Sequence, residues 1–238
     1  MKFSHLIGFA PNYTISLFWS KQGIQGNPRL SPVVIHGGSN PHYPDPFSGG
    51  ILGGKNSGDT PGWNYRRRKT RMEYWDLYTK DRIKIDAIHR RGDPLREGEY
   101  HICVFAWIVN DRGEILVTRR HPDKTFPGKW DCPGGGLLAG EESIDGIVRE
   151  VMEETGIRLD REKGELIWTA VMDEYIGDVW LFRKNVNIKD TKIQESEVTD
   201  IQWVTMNKLK EMERNNELPS PMTHNMDFLE QCINERRL

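Results

Sequence analysis

The sequence predicts an α/β domain that begins near residue 72 and follows a poorly structured N-terminal extension. Strand-like patterns of apolar residues begin abruptly at Tyr74 and recur as far as Val204. Between them, a glycine-rich loop leads into an amphipathic helix of about three turns. Residues 1–71 instead carry repeated Gly and Pro breakers. We therefore divide the chain into an extension, residues 1–71, and a domain, residues 72–238.

The extension is expected to lie outside the working enzyme, as a segment absent from the native protein, as a disordered tail or as an accessory segment. Its breaker-rich composition does not supply the periodicity of a packed core. Met72 is a candidate start because the run Arg67-Arg68-Lys69-Thr70-Arg71 precedes it. In a bacterial gene, AGG and AAA codons for these residues would form a purine-rich ribosome-binding site a short distance upstream of a start codon at Met72.

The elements of the domain follow from local periodicity and turn residues. The segment His101–Val109 is an apolar run of the kind expected for a strand buried on both faces. Asn110-Asp111-Arg112-Gly113 then provides a turn into a second strand. The predicted strands are Tyr74–Tyr78, Ile83–Ile88, His101–Val109, Glu114–Thr118, Leu166–Tyr175, Val179–Phe182 and Val198–Val204, and the later helices are Asn207–Glu213 and Met222–Glu235.

Composition indicates a soluble globular protein without a global attraction to nucleic acid or membranes. Of its 238 residues 37% are hydrophobic and 29% are charged, and the net charge is -2, so any polyanion must be recognised locally. Three widely spaced cysteines encode neither a disulfide framework nor a zinc site. No apolar stretch approaches the roughly 20 residues of a membrane span. We expect a cytoplasmic protein with a small-molecule partner, as either a monomer or a homodimer.

The helix after the glycine-rich loop gathers carboxylates on one face. Ser143 is predicted to be its N-cap, and Gly156 the glycine that ends it. At about 100° per residue, Glu150, Glu153 and Glu154 fall on one arc, away from the apolar stripe. Like charges this close favour a cation between them, and oxygen-only ligands favour Mg²⁺ or Mn²⁺. The alternative is a solvated charged face, because glutamate is common in helices.

The wider spacing resembles the Nudix box of a large hydrolase family. Gly135 is followed after five residues by Glu141 and after seven more by Arg149-Glu150-Val151, then after single residues by Glu153-Glu154 and Gly156-Ile157. No position departs from the pattern. Chance agreement of seven fixed residue types in a chain of this length is on the order of one in a million or less. The spacing therefore outweighs the solvated-face alternative.

The resemblance implies an α/β/α sandwich around a mixed sheet and a metal-dependent enzyme that cuts diphosphate linkages. It implies that Glu150, Glu153 and Glu154 are metal ligands, with the carbonyl of Gly135 as a further ligand. Arg149 is implied to orient the glutamates, a role that suits its fork of donors.

The resemblance leaves the general base open, because family members use either a box glutamate or one from a later loop. Glu154, Glu195 and Glu197 are the candidates, although a solvated loop is the alternative for the last two. Glu141 resembles a supporting carboxylate, and it could equally bind a second metal ion.

Residues upstream of the box resemble a Nudix subgroup close to isopentenyl diphosphate isomerase. The resemblance rests on the run from Arg119 to Asp131 and on Gly98-Glu99-Tyr100-His101. Arg119 and Lys124 are candidate substrate contacts because their cations form charge-assisted hydrogen bonds with phosphate. The alternative is a basic hairpin end exposed to water.

Two other functions compete with hydrolysis. An isopentenyl diphosphate isomerase would carry its catalytic cysteine where this chain has Gly134, whereas Cys132 is predicted to be a small buried residue. A non-catalytic nucleotide-binding sensor would commonly have lost box glutamates, which this chain retains. The box does not specify the groups attached to the diphosphate. Nucleoside triphosphates, dinucleotides, nucleotide sugars, coenzymes and non-nucleotide diphosphates all stay open, and a nucleoside diphosphate linked to another moiety is favoured.

Overall fold

A mixed β-sheet forms the centre of the protein. The computed structural model describes residues 13–16, 33–37, 72–172, 174–219 and 225–235. The strands are β1 (Tyr13–Ser16), β2 (Val33–Gly37), β3 (Tyr74–Tyr78), β4 (Lys84–Arg90), β5 (His101–Val109), β6 (Ile115–Arg120), β7 (Trp130–Asp131), β8 (Gly134–Gly136), β9 (Glu165–Val171), β10 (Tyr175–Arg183) and β11 (Val198–Val204). The α-helices are α1 (Ser143–Thr155), α2 (Met206–Arg214) and α3 (Met226–Asn234).

The main sheet contains both parallel and antiparallel pairs. Its order is β1-β2-β9-β10-β5-β6-β11, with β7 paired to β6 and β8 paired to β5. The pairs β10–β5 and β2–β9 are parallel, whereas the other pairs of this sheet are antiparallel. Strands β3 and β4 form a separate antiparallel hairpin. The predicted mixed sheet is confirmed.

Strand β5 is buried on both faces because helices cover the sheet from two sides. Its side chains alternate between two clusters, as the pleat of a strand requires. Phe105 and Trp107 pack in the cluster that includes residues of α2 and α3. Val104 and Ile108 pack in the cluster that includes residues of α1. This layering confirms the predicted α/β/α sandwich.

Strand β10 is longer than the sequence predicted, whereas β3, β5 and β11 have the predicted bounds. The predicted strand Leu166–Tyr175 is wrong at its end, because β9 stops at Val171 and Tyr175 begins β10. Gly177 and Asp178 obscured the start of β10, since glycine and aspartate are depleted in strands. Parallel pairing with β5 along its full length holds these residues in the strand.

Helix α1 ends as predicted but begins differently. Gly156 follows its last residue with a φ of 72°, a left-handed conformation that glycine adopts without strain. The predicted N-cap is wrong, because Glu142 occupies that position and Ser143 is the first helical residue. The hydroxyl of Ser143 donates instead to Asp178 at 2.5 Å. The hydroxyl of Ser143 therefore binds the buried carboxylate of Asp178 on β10 and does not cap the helix.

The two later helices occupy the predicted regions. Thr205 caps α2 by accepting a hydrogen bond from the amide of Lys208, and Asn225 caps α3 by accepting one from the amide of Phe228. The first residues of the predicted helix Met222–Glu235 lie outside the described residues. No helix within the described ranges has the length and apolar character that crossing a membrane requires.

Within the extension, the structure describes strands β1 and β2. They pair with each other, and β2 pairs with β9, so the main sheet continues beyond the predicted domain. The expectations of a poorly structured extension and of a start at Met72 otherwise concern residues outside the described ranges.

Asp178 joins the β3–β4 hairpin, the sheet and the start of α1. Its fully buried carboxylate accepts two hydrogen bonds from Arg82, both at 2.6 Å. It also accepts hydrogen bonds from Thr169 at 2.9 Å and from Ser143 at 2.5 Å. A buried charge persists when it is paired and fully hydrogen-bonded, and these four bonds satisfy that condition. We call Arg82 and Asp178 the hairpin clamp.

Removing Arg82 is expected to destabilise the fold. Arg82→Ala leaves the buried carboxylate of Asp178 without its counter-charge, and breaking a buried ion pair from one side costs about 3 kcal/mol. Lys80→Ala, at an exposed position of the same turn, is the matched control and should change the free energy of unfolding by less than about 0.5 kcal/mol. Urea unfolding followed by circular dichroism measures both, and equal stabilities would contradict the clamp.

Candidate active site

A cavity of about 810 Å³ lies beside helix α1. Residues from the ends of β4 and β6, from the glycine-rich loop, from α1 and from the segment before β11 line it. The acidic lining residues are Glu73, Asp123, Asp131, Glu150, Glu153, Glu154 and Glu197, and the basic lining residues are Arg90, Arg91, Arg120 and Lys124. The cavity therefore combines oxygen ligands that suit a hard cation with cationic groups that suit an anion.

Arg149 is the centre of the hydrogen-bond network beside this cavity. Its guanidinium donates to Glu141 at 2.7 and 2.9 Å and to Glu150 at 2.7 Å. It also donates to Glu153 at 3.2 Å and to the carbonyl of Gly136 at 3.1 Å. Burial opposes its charge, but Glu141 and Glu150 more than offset that effect and raise the pKa of Arg149. One cation thus holds three glutamates of the box and the loop before it.

Gly135 makes room for the carboxylate of Glu150. A Cβ atom at position 135 would lie 2.3 Å from Cδ of Glu150 and 2.4 and 2.5 Å from its two oxygens, so any larger residue would displace the carboxylate. Burial raises the pKa of Glu150, and the charge of Arg149 opposes that shift. Gly135 therefore allows Glu150 to occupy this position, which its carboxylate would have to leave if residue 135 carried a side chain.

Glu154 differs from its neighbours because no donor in the described part of the chain holds its carboxylate. Among the described residues, its side chain has neither a hydrogen bond nor an ion pair. Burial raises the pKa of Glu154 well above its usual range, and the charges of Glu150, Glu197 and Asp131 raise it further, against Arg120. A cation at this position would favour the ionised form of Glu154.

Asp131 and Cys132 form a buried pair on the cavity wall. Burial raises the pKa of Asp131 to about 6, although Nη1 of Arg120 lies 3.4 Å from Oδ2 of Asp131. Cys132 is buried, as predicted. Burial and the nearby charges of Asp131 and Glu154 raise the pKa of its thiol well above the ordinary value. Such a thiol is protonated at neutral pH and is a poor nucleophile.

The donor set at this face fits a hard divalent ion, although it is not preassembled around one. Glu150, Glu153 and Glu154 offer only oxygen atoms, and Mg²⁺ and Mn²⁺ prefer such ligands. In the described part of the chain, no three His, Cys, Asp or Glu side chains already converge in the geometry of a metal site. Arg149 holds two of the glutamates, so an ion would take over part of the neutralisation that Arg149 provides.

The structure separates the two downstream glutamates that the sequence could not rank. Glu197 lines the cavity, and its carboxylate forms an ion pair with Lys124. Glu195 is exposed and does not line it. The backbone carbonyl of Glu197 accepts a hydrogen bond from the amide of His121 at 2.9 Å, which joins the two segments. Of the two residues, Glu197 is therefore placed to contact a bound molecule.

The predicted phosphate contacts also occupy different positions. Lys124 lines the cavity, whereas the Arg119 guanidinium donates to the carbonyl of Gly128 at 3.0 Å and lies over the ring of Trp130. Its neighbour Arg120 lines the cavity instead. Successive side chains of a strand point to opposite faces, so alternation along β6 could have distinguished the two arginines.

Sequence reasoning also missed the residues of the β3–β4 hairpin that line the cavity. Four residues at the ends of this hairpin line the cavity and belong to neither the box nor the upstream motif: Glu73, Arg90, Arg91 and Gly92. No local pattern signals this placement, because it depends on how the hairpin packs against the main sheet.

Comparisons with known proteins agree with this geometry. The family model of the NUDIX domain matches residues 99–226, which is more than half of the chain. An uncharacterized Nudix hydrolase of Listeria monocytogenes is 34% identical over 148 residues, covering 61% of this chain and 88% of that protein. Nudix hydrolase 3 of Arabidopsis thaliana is 31% identical over 137 residues, covering 56% of this chain and 16% of that protein.

A solved structure shares the fold. A protein from Deinococcus radiodurans superimposes with a TM-score of 0.56 at 19% identity, covering 65% of this chain and 98% of that one. The family match contains the complete box, with Arg149 at its centre, and excludes the β3–β4 hairpin. The chain therefore belongs to the Nudix hydrolase family.

Proposed function

We propose that this Nudix hydrolase cleaves the diphosphate linkage of a small molecule with the help of Mg²⁺ or Mn²⁺. A nucleoside diphosphate joined to another moiety is the favoured substrate class. The observation that carries the proposal is the Arg149 guanidinium, which gathers Glu141, Glu150 and Glu153 beside a cavity that also has basic walls. Such a cavity suits a cation and a phosphate group together.

Glu150, Glu153 and Glu154, with the carbonyl of Gly135, are the residues that we propose hold the ion. A bound ion supplies charge neutralisation at the phosphate oxygens and makes a water molecule more acidic. Arg149 keeps Glu150 and Glu153 directed to one side of α1, which limits their freedom before substrate arrives.

A carboxylate of the cavity would accept the proton of the attacking water. The water oxygen forms a bond to phosphorus, the bond from phosphorus to the bridging oxygen breaks, and the water proton passes to the carboxylate. Glu154 is the favoured base because its side chain lines the cavity and has no hydrogen-bond donor among the described residues. Glu197 is the alternative, and its ion pair with Lys124 would have to rearrange first.

Basic residues at the end of β6 would contact the phosphates. Lys124 and Arg120 line the cavity and carry the positive charge that phosphate oxygens require. Arg119, the other predicted contact, would have to leave its hydrogen bond with Gly128 to reach the same space. We therefore propose that Lys124 and Arg120 contribute more than Arg119 to binding the phosphates.

Two features speak against the isomerase alternative. Gly134 lies where that enzyme would carry its cysteine, and a Cβ atom there would lie 2.3 Å from the carbonyl oxygen of Val104. The thiol of Cys132 is held protonated by its surroundings. Against the sensor alternative, the full set of box glutamates is present.

We further propose that residues 72–238 are the working unit and that the enzyme is cytoplasmic. The matched family domain lies within this range, and so do the cavity-lining residues that the structure describes. Within the described residues, Cys103, Cys132 and Cys232 are buried and form no disulfide, which supports a reducing compartment. Monomer and homodimer are equally compatible with this proposal.

A panel of diphosphate compounds tests the proposed activity. The full chain should release phosphate or nucleoside monophosphate in the presence of Mg²⁺, and a chelator should abolish turnover until Mg²⁺ or Mn²⁺ is restored. The chain of residues 72–238 should give the same kcat/KM. Turnover that persists in the chelator would contradict the proposed chemistry, and loss of activity in the shorter chain would assign the extension a working role.

Neutralising the carboxylate face is expected to remove activity without unfolding the protein. Glu153→Gln or Glu154→Gln keeps the side-chain shape but removes a charge, so kcat should fall about 10²-fold or more. Glu142→Gln is the matched control, because Glu142 is exposed outside the cavity and should tolerate the change. Steady-state kinetics and circular dichroism measure both properties. Full activity in both box variants would overturn the assignment.

Cys132→Ala separates the hydrolase from the isomerase. Hydrolysis needs no thiol, so the variant should keep most of the wild-type kcat/KM, apart from a modest loss of stability on trimming a buried side chain. An inactive variant that is still folded by circular dichroism would instead support the isomerase.

A further inference from the structure

The segment between β8 and α1 lies against strand β3 of the hairpin. We call this segment, residues 137–142, the box loop. The amide of Ala139 donates a hydrogen bond to the backbone carbonyl of Tyr74 at 2.8 Å. The amide of Gly140 donates to Oδ2 of Asp76, also at 2.8 Å. The hairpin and the loop that leads into α1 are therefore joined by one backbone contact and one side-chain contact.

Asp76 is a buried carboxylate with two donors on one oxygen. Its side chain is 8% exposed, and Nζ of Lys84 donates at 2.7 Å to the same Oδ2 that accepts from Gly140. Burial raises the pKa of Asp76, but the hydrogen bonds from Lys84 and Gly140 lower it below its ordinary value. The group is therefore ionised at neutral pH, and a hydrogen bond to an ionised acceptor is about twice as strong as one between neutral groups.

Strand β3 is itself fixed, so Asp76 offers an acceptor at a defined position. The ring of Trp75 stacks on His101 of β5 with centroids 3.9 Å apart. The hairpin clamp joins Arg82, in the turn after β3, to the buried Asp178 at 2.6 Å. The acceptor for Gly140 is thus held by contacts with the main sheet on both sides of it.

The turn at Gly140 depends on hydrogen bonds because side-chain packing does not hold it. Gly140 is exposed, its φ is 82°, and a Cβ atom added there would meet nothing within 4 Å among the described residues. Glycine loses more conformational entropy on ordering than any other residue. The contact with Asp76 therefore opposes a large tendency of this turn to become disordered.

Glu141, the next residue of the box loop, connects this turn to the carboxylate face of α1. Its two oxygens accept hydrogen bonds from Arg149 at 2.7 and 2.9 Å. Arg149 in turn donates to Glu150 at 2.7 Å and to Glu153 at 3.2 Å. One series of contacts therefore runs from Asp76 through the box loop to two of the proposed metal ligands.

We infer that Asp76 is a positioning residue for the carboxylate face: by holding the amide of Gly140, it keeps Glu141 where Glu141 can hold Arg149. Asp76 acts through these residues and does not touch the ion or the substrate. Groups that orient metal ligands from a distance strengthen metal binding in this way. The inference rests on the proposed function, because it takes Glu150 and Glu153 as ligands of the ion.

Two substitutions at Asp76 separate this role from a general contribution to stability. Asp76→Ala removes the acceptor of the Gly140 amide. Asp76→Asn keeps it, because both donors contact Oδ2 and the single oxygen of an asparagine can occupy that position. Asp86→Ala is the matched control, because Asp86 is an exposed aspartate on β4 of the same hairpin.

Hydrogen exchange of the box-loop amides in the metal-free full chain is the first measurement. In Asp76→Ala the Gly140 amide should exchange about tenfold faster than in the wild type, because its hydrogen bond to a charged group is lost. Asp76→Asn and Asp86→Ala should stay close to the wild-type rate. In the wild type, the exposed Gly140 amide should itself exchange about tenfold or more slowly than in an unstructured chain, a result that needs no variant to fold.

Mn²⁺ binding, measured by electron paramagnetic resonance without substrate, is the second measurement. The dissociation constant should rise about tenfold in Asp76→Ala and stay close to the wild-type value in Asp76→Asn and Asp86→Ala. Unchanged exchange and Mn²⁺ affinity in a folded Asp76→Ala protein, or equal losses in the Ala and Asn variants, would overturn the inference. So would unprotected exchange of Gly140 in the wild type. A wild type that binds no Mn²⁺ would instead refute the proposed metal site, and the exchange rates would still decide whether Asp76 holds the box loop.

Discussion

The arrangement of the site depends on one guanidinium in a crowded group of carboxylates. Arg149 contacts Glu141, Glu150 and Glu153 and the carbonyl of Gly136. Without that cation, glutamates on one helical face would repel one another and would tend to take up protons as they leave water. The network also ties α1 to the loop that precedes it. The same contact therefore sets the charge state of the face and the position of the backbone that borders the cavity.

The sheet makes this network possible by fixing where the loop and helix begin. Strand β8, the start of the box, pairs with β5, which is itself held by parallel pairing with β10. Asp178 on β10 then holds Ser143 at the first turn of α1 and Arg82 in the hairpin. Burying a charge in a strand costs free energy. In this protein the buried carboxylate of Asp178 fixes the positions of β10, α1 and the hairpin relative to one another. Helix α1 and the β3–β4 hairpin are thus positioned by the same residue.

Much of the fold and the carboxylate face could be predicted from the sequence, because both depend on local periodicity and spacing. The apolar run of β5, the glycine after α1 and the box glutamates are all such features. What could not be predicted depends on contacts between distant residues. The local sequence predicts that Ser143 is an N-cap, but its hydroxyl binds Asp178, which lies 35 residues away in the sequence. Arg91 had no local signature, since its place in the cavity follows from the packing of the hairpin. The position of Arg120 at the cavity could have been predicted, because the alternation of side chains along β6 places it on the opposite face from Arg119.

The division between box and surroundings has a physical basis. Groups that hold a metal ion and move a proton must keep a narrow geometry. The glutamates that we propose as metal ligands lie on the single helix α1, where Arg149 joins Glu150 and Glu153 to Glu141 of the preceding loop. Groups that recognise the rest of a substrate need only present charge and shape, so they can come from separate elements such as the ends of β4 and β6. The ion pair between Arg82 and Asp178 fixes the hairpin against the sheet. The hairpin is therefore ordered before a ligand binds, so binding does not have to offset the entropy cost of ordering it.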